Sequence, residues 1–242
     1  MNDTGTNKNL RQYLPNYITF LSLGFGLVSI VLSIQEYIFL AGMFIIGSSI
    51  LDSLDGFSAR KLNLESTFGL QLDSLTDMVC FGVAPIVLVT QHLHLQDRFS
   101  LGLLPVFLLQ IWAGAFRLAR FNLQPPKESS TGSSLGLTIS LSGLILTLMI
   151  LSDLTQTGDD YPLQVIMGQI LLLCFLMVSR IRFPALSWFV PHWSLYIVYG
   201  IAVVIVVIQF SVFTALWNFW LCILGASFIK HLILTRQEKV ML

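Results

Sequence analysis

Charge is what this chain has least of. Lysine and arginine number 13 and aspartate and glutamate 13, so charged residues make up 11% of 242, against about 25% in a typical soluble domain. That excludes an ordinary soluble enzyme. The 55% hydrophobic content and mean hydropathy of +0.79 point to a membrane protein. With a net charge of zero and no basic groove or aromatic platform, nucleic acid is not an expected partner. Cysteine is also scarce. Cys80, Cys174 and Cys222 lie far apart in apolar segments, which excludes a disulfide framework or a cysteine metal site and leaves three small hydrophobes. A cleavable signal pattern is missing: the first twelve residues are polar, and the first apolar run is too long for a signal core. There is no internal repeat and no low-complexity tract.

What the chain has is apolar runs. Eight spans are expected, over 14–34, 38–61, 66–90, 99–122, 135–152, 163–179, 194–212 and 214–235, at roughly 20 residues per crossing. With the N-terminus inside, Arg98 alone of the thirteen Lys and Arg residues falls outside. A bias of that size predicts cytoplasmic termini. Three regions are expected: an N-terminal segment (1–13), a membrane core (14–185), and a C-terminal pair of spans with a short tail (186–242).

Against this background four aspartates stand out. They form Asp52-x-x-Asp55-Gly56-x-x-Ala59-Arg60, then eight residues, then Gly69-x-x-x-Asp73-x-x-x-Asp77. Ionisable residues at membrane depth are costly and mark function by default. Helical spacing puts Asp52, Asp55 and Ala59 on one stripe of span two and Asp73 and Asp77 on one stripe of span three. The spans are antiparallel, so Asp52 matches the depth of Asp77 and Asp55 that of Asp73. All four can meet in one place, roughly 10–20 Å below the cytoplasmic helix ends. Four like charges converge only with protons or cations among them. Hard oxygen donors without His or Cys favour Mg²⁺ or Mn²⁺, and four carboxylates suit a two-metal site that clamps a diphosphate. Gly56 and Ala59 leave room for a ring or phosphate. Arg60 can fork onto phosphate oxygens.

Singly, Gly56, Ala59 and Gly69 read as helix-packing residues and Arg60 as a topology anchor. A proton or cation transporter is the rival reading for the aspartates. It is disfavoured because transporters place polar groups on both sides of the midplane, whereas these crowd into the cytoplasmic half.

The combined pattern resembles the signature of the CDP-alcohol phosphotransferases, matching at all eight motif positions. The stretches Leu14–Thr19 (LPNYIT), Gln71–Pro85 (QLDSLTDMVCFGVAP), Gly114–Asn122 (GAFRLARFN) and Leu176–Pro184 (LMVSRIRFP) resemble the branch whose acceptor is L-serine. The resemblance covers about 14–185. It implies an all-α polytopic membrane helix bundle, with a six-helix core and two further C-terminal transmembrane helices. It also implies a homodimer among membrane lipids, and transfer of the phosphatidyl group from CDP-diacylglycerol to L-serine or, alternatively, to glycerol phosphate, inositol or choline. Asp52, Asp55, Asp73 and Asp77 would hold metal, with Asp77 as base; Asp52, Gly56, Ala59, Arg60 and Gly69 would take the CDP group. One departure is visible: Gly136-Leu137-Thr138 stands where Gly-Leu-Pro is expected, and Thr138 is expected to relax a bend in span five.

The acceptor's carboxylate calls for a cation. Arg117 and Arg120, one turn apart and followed by Asn122, are the first candidates, with Arg180 and Arg182 next; anchoring or lipid headgroup contact is the plain alternative. Asn16 and Thr19 form a polar face on span one, suited to the nucleotide, to a metal-bound water or to helix capping near Pro15. His92 and His94 are expected in an outer loop. Residues 1–13 are expected as a short surface helix.

Overall fold

The computed structural model describes residues 4–62, 66–123, 133–156, 160–184, 213–214, 216–226 and 228. Two compact units divide at Leu104 and Pro105.

The first unit contains α1 (Thr4–Ile34), α2 (Ile38–Leu62), α3 (Thr67–Asp77), a π-helical segment (Met78–Val83) and α4 (Ala84–Leu95). The last three make one continuous apolar span, Thr67–Leu95. Helix α1 begins at Thr4, so the N-terminal residues continue the first span instead of forming a separate surface helix, and no helix is capped near Pro15. Helix α1 packs on α2, α3, the π segment and α4. One stripe of small residues on α1 makes these contacts, as expected for helix pairs in lipid. Ser22 Oγ lies 2.8 Å from Ser48 Oγ, and Ser29 donates to the Ala41 carbonyl over 2.9 Å. A β-carbon on Gly26 would collide with Cys80 Sγ. His92 is buried in α4, and His94 also lies on that helix, not in a loop.

The second unit holds α5 (Leu104–Asn122), β1 (Ser133–Leu135), α6 (Ile139–Thr155), α7 (Leu163–Val178), β2 (Arg182–Pro184) and the short apolar helix α8 (Leu216–Ala226). The all-α expectation holds apart from β1 and β2, which pair antiparallel with Ser134 opposite Phe183. A buried polar thread joins three helices: Gln110 Nε2 donates to Ser142 Oγ (2.7 Å), and Cys174 Sγ donates to Gln110 Oε1 (3.0 Å).

Span five, expected over 135–152, starts as helix only at Ile139. Thr138 has φ −71° and ψ 147°, a conformation proline shares, and its hydroxyl accepts from Leu141 N–H. Its place is therefore the N-cap of α6 and not a bend within it, where Thr supplies a capping oxygen that proline lacks. Four helical stretches of at least 18 residues, at Asn16–Ile34, Ile38–Asp55, Thr67–Leu95 and Leu101–Asn122, are apolar enough to cross a membrane; α6 and α7 are shorter apolar helices. The protein is a multi-pass integral membrane protein. Expected span 194–212 lies outside the described residues, as do parts of 214–235.

Candidate active site

Asp52 and Asp55 lie three residues apart on α2, and Asp73 and Asp77 four apart on α3. Each pair therefore shares a helix face, and packing through α1 turns the two faces together. Asp52, Asp55 and Asp73 each present a carboxylate oxygen, all within 4.8 Å of one another. Among the described residues this is the one such group of three or more acidic, His or Cys side chains. The side chain of Asp77 stands beside that of Asp52, the pair that the antiparallel register sets at equal depth. Carboxylates gathered this closely in a low dielectric need positive charge among them, which a divalent cation supplies. The donors are all hard oxygens, and Asp55 and Asp77 are buried, so the set fits a divalent cation of the Mg²⁺ class.

Helix α1 supplies the cluster's third wall. Thr19 Oγ1 donates to Asp55 Oδ2 over 2.7 Å, with both residues buried. One turn earlier, Asn16 Oδ1 lies 3.3 Å from where a β-carbon on Gly69 would stand. Gly69 is thus needed for the close approach of α1 to the first turn of α3. That turn is capped by Ser66, whose Oγ accepts from Gly69 N–H (3.0 Å), satisfying one of the helix's orphan donors. The sequence carried this signal, a serine three residues before Gly69, and the motif reading passed over it. Asp77 is the last residue before the π segment. Such wide turns often occur at functional sites, and nothing in the residue types announces this one. Gly56, Ala59 and Arg60 belong to the last turns of α2.

The arginines singled out for the acceptor belong to the second unit. Arg120 donates through both terminal nitrogens to the carbonyls of Met177, Val178 and Ser179 at the end of α7, at 3.1–3.3 Å. Those are the carbonyls a helix terminus leaves unsatisfied. Arg117 is buried, with its guanidinium 5.3 Å from the Phe121 ring centroid. Arg180 is exposed, and Arg182 is in β2. Asn122 ends α5.

The chain is 36% identical to the CDP-diacylglycerol–serine O-phosphatidyltransferase of Helicobacter pylori over 173 residues, 70% of this chain and 71% of that one. The enzyme of the same name from Methanocaldococcus jannaschii is 34% identical over 71% of this chain and 73% of its own. The Bacillus subtilis one is 33% identical over 71% and 90%. The family model for CDP-alcohol phosphatidyltransferase matches residues 12–179, a stretch that contains every residue of the aspartate cluster and the α1 side chains that line it. On the motif, its convergence and these matches together, the chain belongs to the CDP-alcohol phosphatidyltransferase family.

Proposed function

We propose that this protein transfers the phosphatidyl group of CDP-diacylglycerol to the hydroxyl of L-serine, giving phosphatidylserine and CMP. The convergence of three carboxylate oxygens, from Asp52, Asp55 and Asp73, within 4.8 Å carries the chemistry. The serine acceptor rests on the names of relatives in two bacteria and an archaeon.

Asp52, Asp55, Asp73 and Asp77 would hold the metal, Mg²⁺ or Mn²⁺, and four carboxylates would suit two ions. When bound, the metal offsets the charge of the diphosphate and of the departing CMP. Gly56 and Ala59 would leave space for the CDP group, Gly69 would border it while admitting α1 beside α3, Asp52 would contact it, and Arg60 would pair with its phosphate oxygens. Asp77 takes the proton from the serine hydroxyl. The serine oxygen then bonds to the lipid-side phosphorus as the phosphoanhydride bond breaks, and CMP leaves with the bonding pair. Asp77 suits the base role because it lies deepest along α3, farthest from Gly69, toward the lipid. The serine carboxylate needs a cation; by chemistry the candidates are Arg117, Arg120 with Asn122, Arg180 and Arg182. Arg117 ranks above Arg120, whose donors face the α7 carbonyls.

The lysine and arginine distribution supports cytoplasmic termini and a cytoplasmic reaction site, in a bacterial cytoplasmic membrane. A homodimer forms part of the same reading.

The test is CMP release by the purified protein supplied with CDP-diacylglycerol and Mn²⁺ or Mg²⁺, with and without L-serine. Release that needs both metal and serine is expected. Release with another alcohol and none with serine discards the acceptor. No release with any acceptor discards the reaction.

A further inference from the structure

Thr19 differs from the other small polar residues on its stripe of α1. Ser22 pairs with Ser48, one hydroxyl with another, and Ser29 bonds a carbonyl; both fasten helix to helix. Thr19 instead spends its hydroxyl proton on Asp55, a member of the carboxylate cluster. We infer that Thr19 is a positioning residue: its hydroxyl fixes the Asp55 carboxylate in the orientation from which the cluster takes its cation. The inference rests on the metal-dependent transfer proposed above.

Three carboxylates so close repel one another in a low-dielectric site, and an aspartate free to turn swings away from its neighbours. A donor on Oδ2, held by a buried residue of a neighbouring helix, sets the plane of the carboxylate and opposes that swing. Thr19 is suited to this because its β-branch restricts χ1. Its helix is also fixed by contacts above and below, Ser22 to Ser48 on one side and Asn16 beside Gly69 on the other. Groups that orient a metal ligand without touching the metal commonly contribute 10–100-fold in affinity.

The experiment measures the Mn²⁺ dissociation constant of the purified, full-length protein from the electron paramagnetic resonance signal of free Mn²⁺. The wild type is compared with Thr19→Val, Thr19→Ala, Thr19→Ser and the packing control Ser29→Ala, which removes a helix-fastening bond away from the cluster. Thr19→Val and Thr19→Ala are expected to bind Mn²⁺ about 10–100-fold more weakly, and Thr19→Ser, which keeps the hydroxyl, within about threefold of wild type. Ser29→Ala is expected to match wild type. Wild-type affinity in Thr19→Ala overturns the inference, and so does a loss in Thr19→Ser equal to that in Thr19→Ala. If Thr19→Val does not fold, the alanine and serine pair still isolates the hydroxyl. A wild type that binds no Mn²⁺ overturns the functional reading, and this inference with it.

Discussion

Asn16 Oδ1 reaches to within 3.3 Å of the place a β-carbon would occupy on Gly69, while Ser66 Oγ stands 3.1 Å away on its other side. Gly69→Ala therefore pushes α1 and the α3 cap apart by a few tenths of an ångström, just beside the aspartates. The added methyl also favours helix by about 0.5–1 kcal/mol, which offsets the crowding. The expected result is a Tm close to wild type with CMP release reduced tenfold or more. A drop in Tm with activity per folded molecule unchanged would show that Gly69 serves packing alone.

Asp77→Asn keeps size and shape while removing the base. Turnover is expected to fall by about 10²–10⁴, with CDP-diacylglycerol binding retained, as read by equilibrium binding of the labelled lipid. Near-normal turnover removes Asp77 from the proton-accepting role.

Metal should stabilise the fold as well as the reaction. A cation that binds the folded cluster at 100 times its dissociation constant adds about 2.7 kcal/mol of stability. Mn²⁺ is thus expected to raise Tm in detergent, and EDTA to lower it and abolish CMP release. In Asp52→Asn with Asp73→Asn, the Mn²⁺-dependent shift is expected to vanish. If it persists, the stabilising ion sits elsewhere.

The aspartate cluster could be read from sequence because its geometry is local. Two helical spacings and one short hairpin connection suffice to bring Asp52 level with Asp77. The partners on α1 were only half legible. Asn16 and Thr19 stood out as polar residues, but that Thr19 faces Asp55 depends on the register between α1 and α2, which packing of Ser22 on Ser48 sets. Thr138 was misread because a span drawn by hydropathy runs through any apolar residue. It cannot register that Gly136 adopts φ +77° and that β1 occupies 133–135. The π segment after Asp77 and the carbonyl contacts of Arg120 are tertiary outcomes with no local signature.

Those carbonyl contacts lead to a different expectation for Arg120 than for its neighbour Arg117. Its two terminal nitrogens bind three carbonyls at the end of α7, and a β-carbon on Gly136 would stand only 2.7 Å from Arg120 Nη2. The residue thus fastens the end of α5 to the turn that follows α7. Arg120→Ala strips those carbonyls of a charged donor, and hydrogen bonds to charged groups contribute about 1.5–3 kcal/mol. The expected outcome is a Tm lower by several degrees, with Arg120→Lys recovering part of it because an ammonium cannot reproduce the planar fork. The kinetics separate fastening from acceptor recognition. If Arg120 only fastens, the folded fraction of Arg120→Lys keeps the wild-type KM for serine. A KM raised tenfold or more at unchanged Tm assigns Arg120 to the acceptor instead.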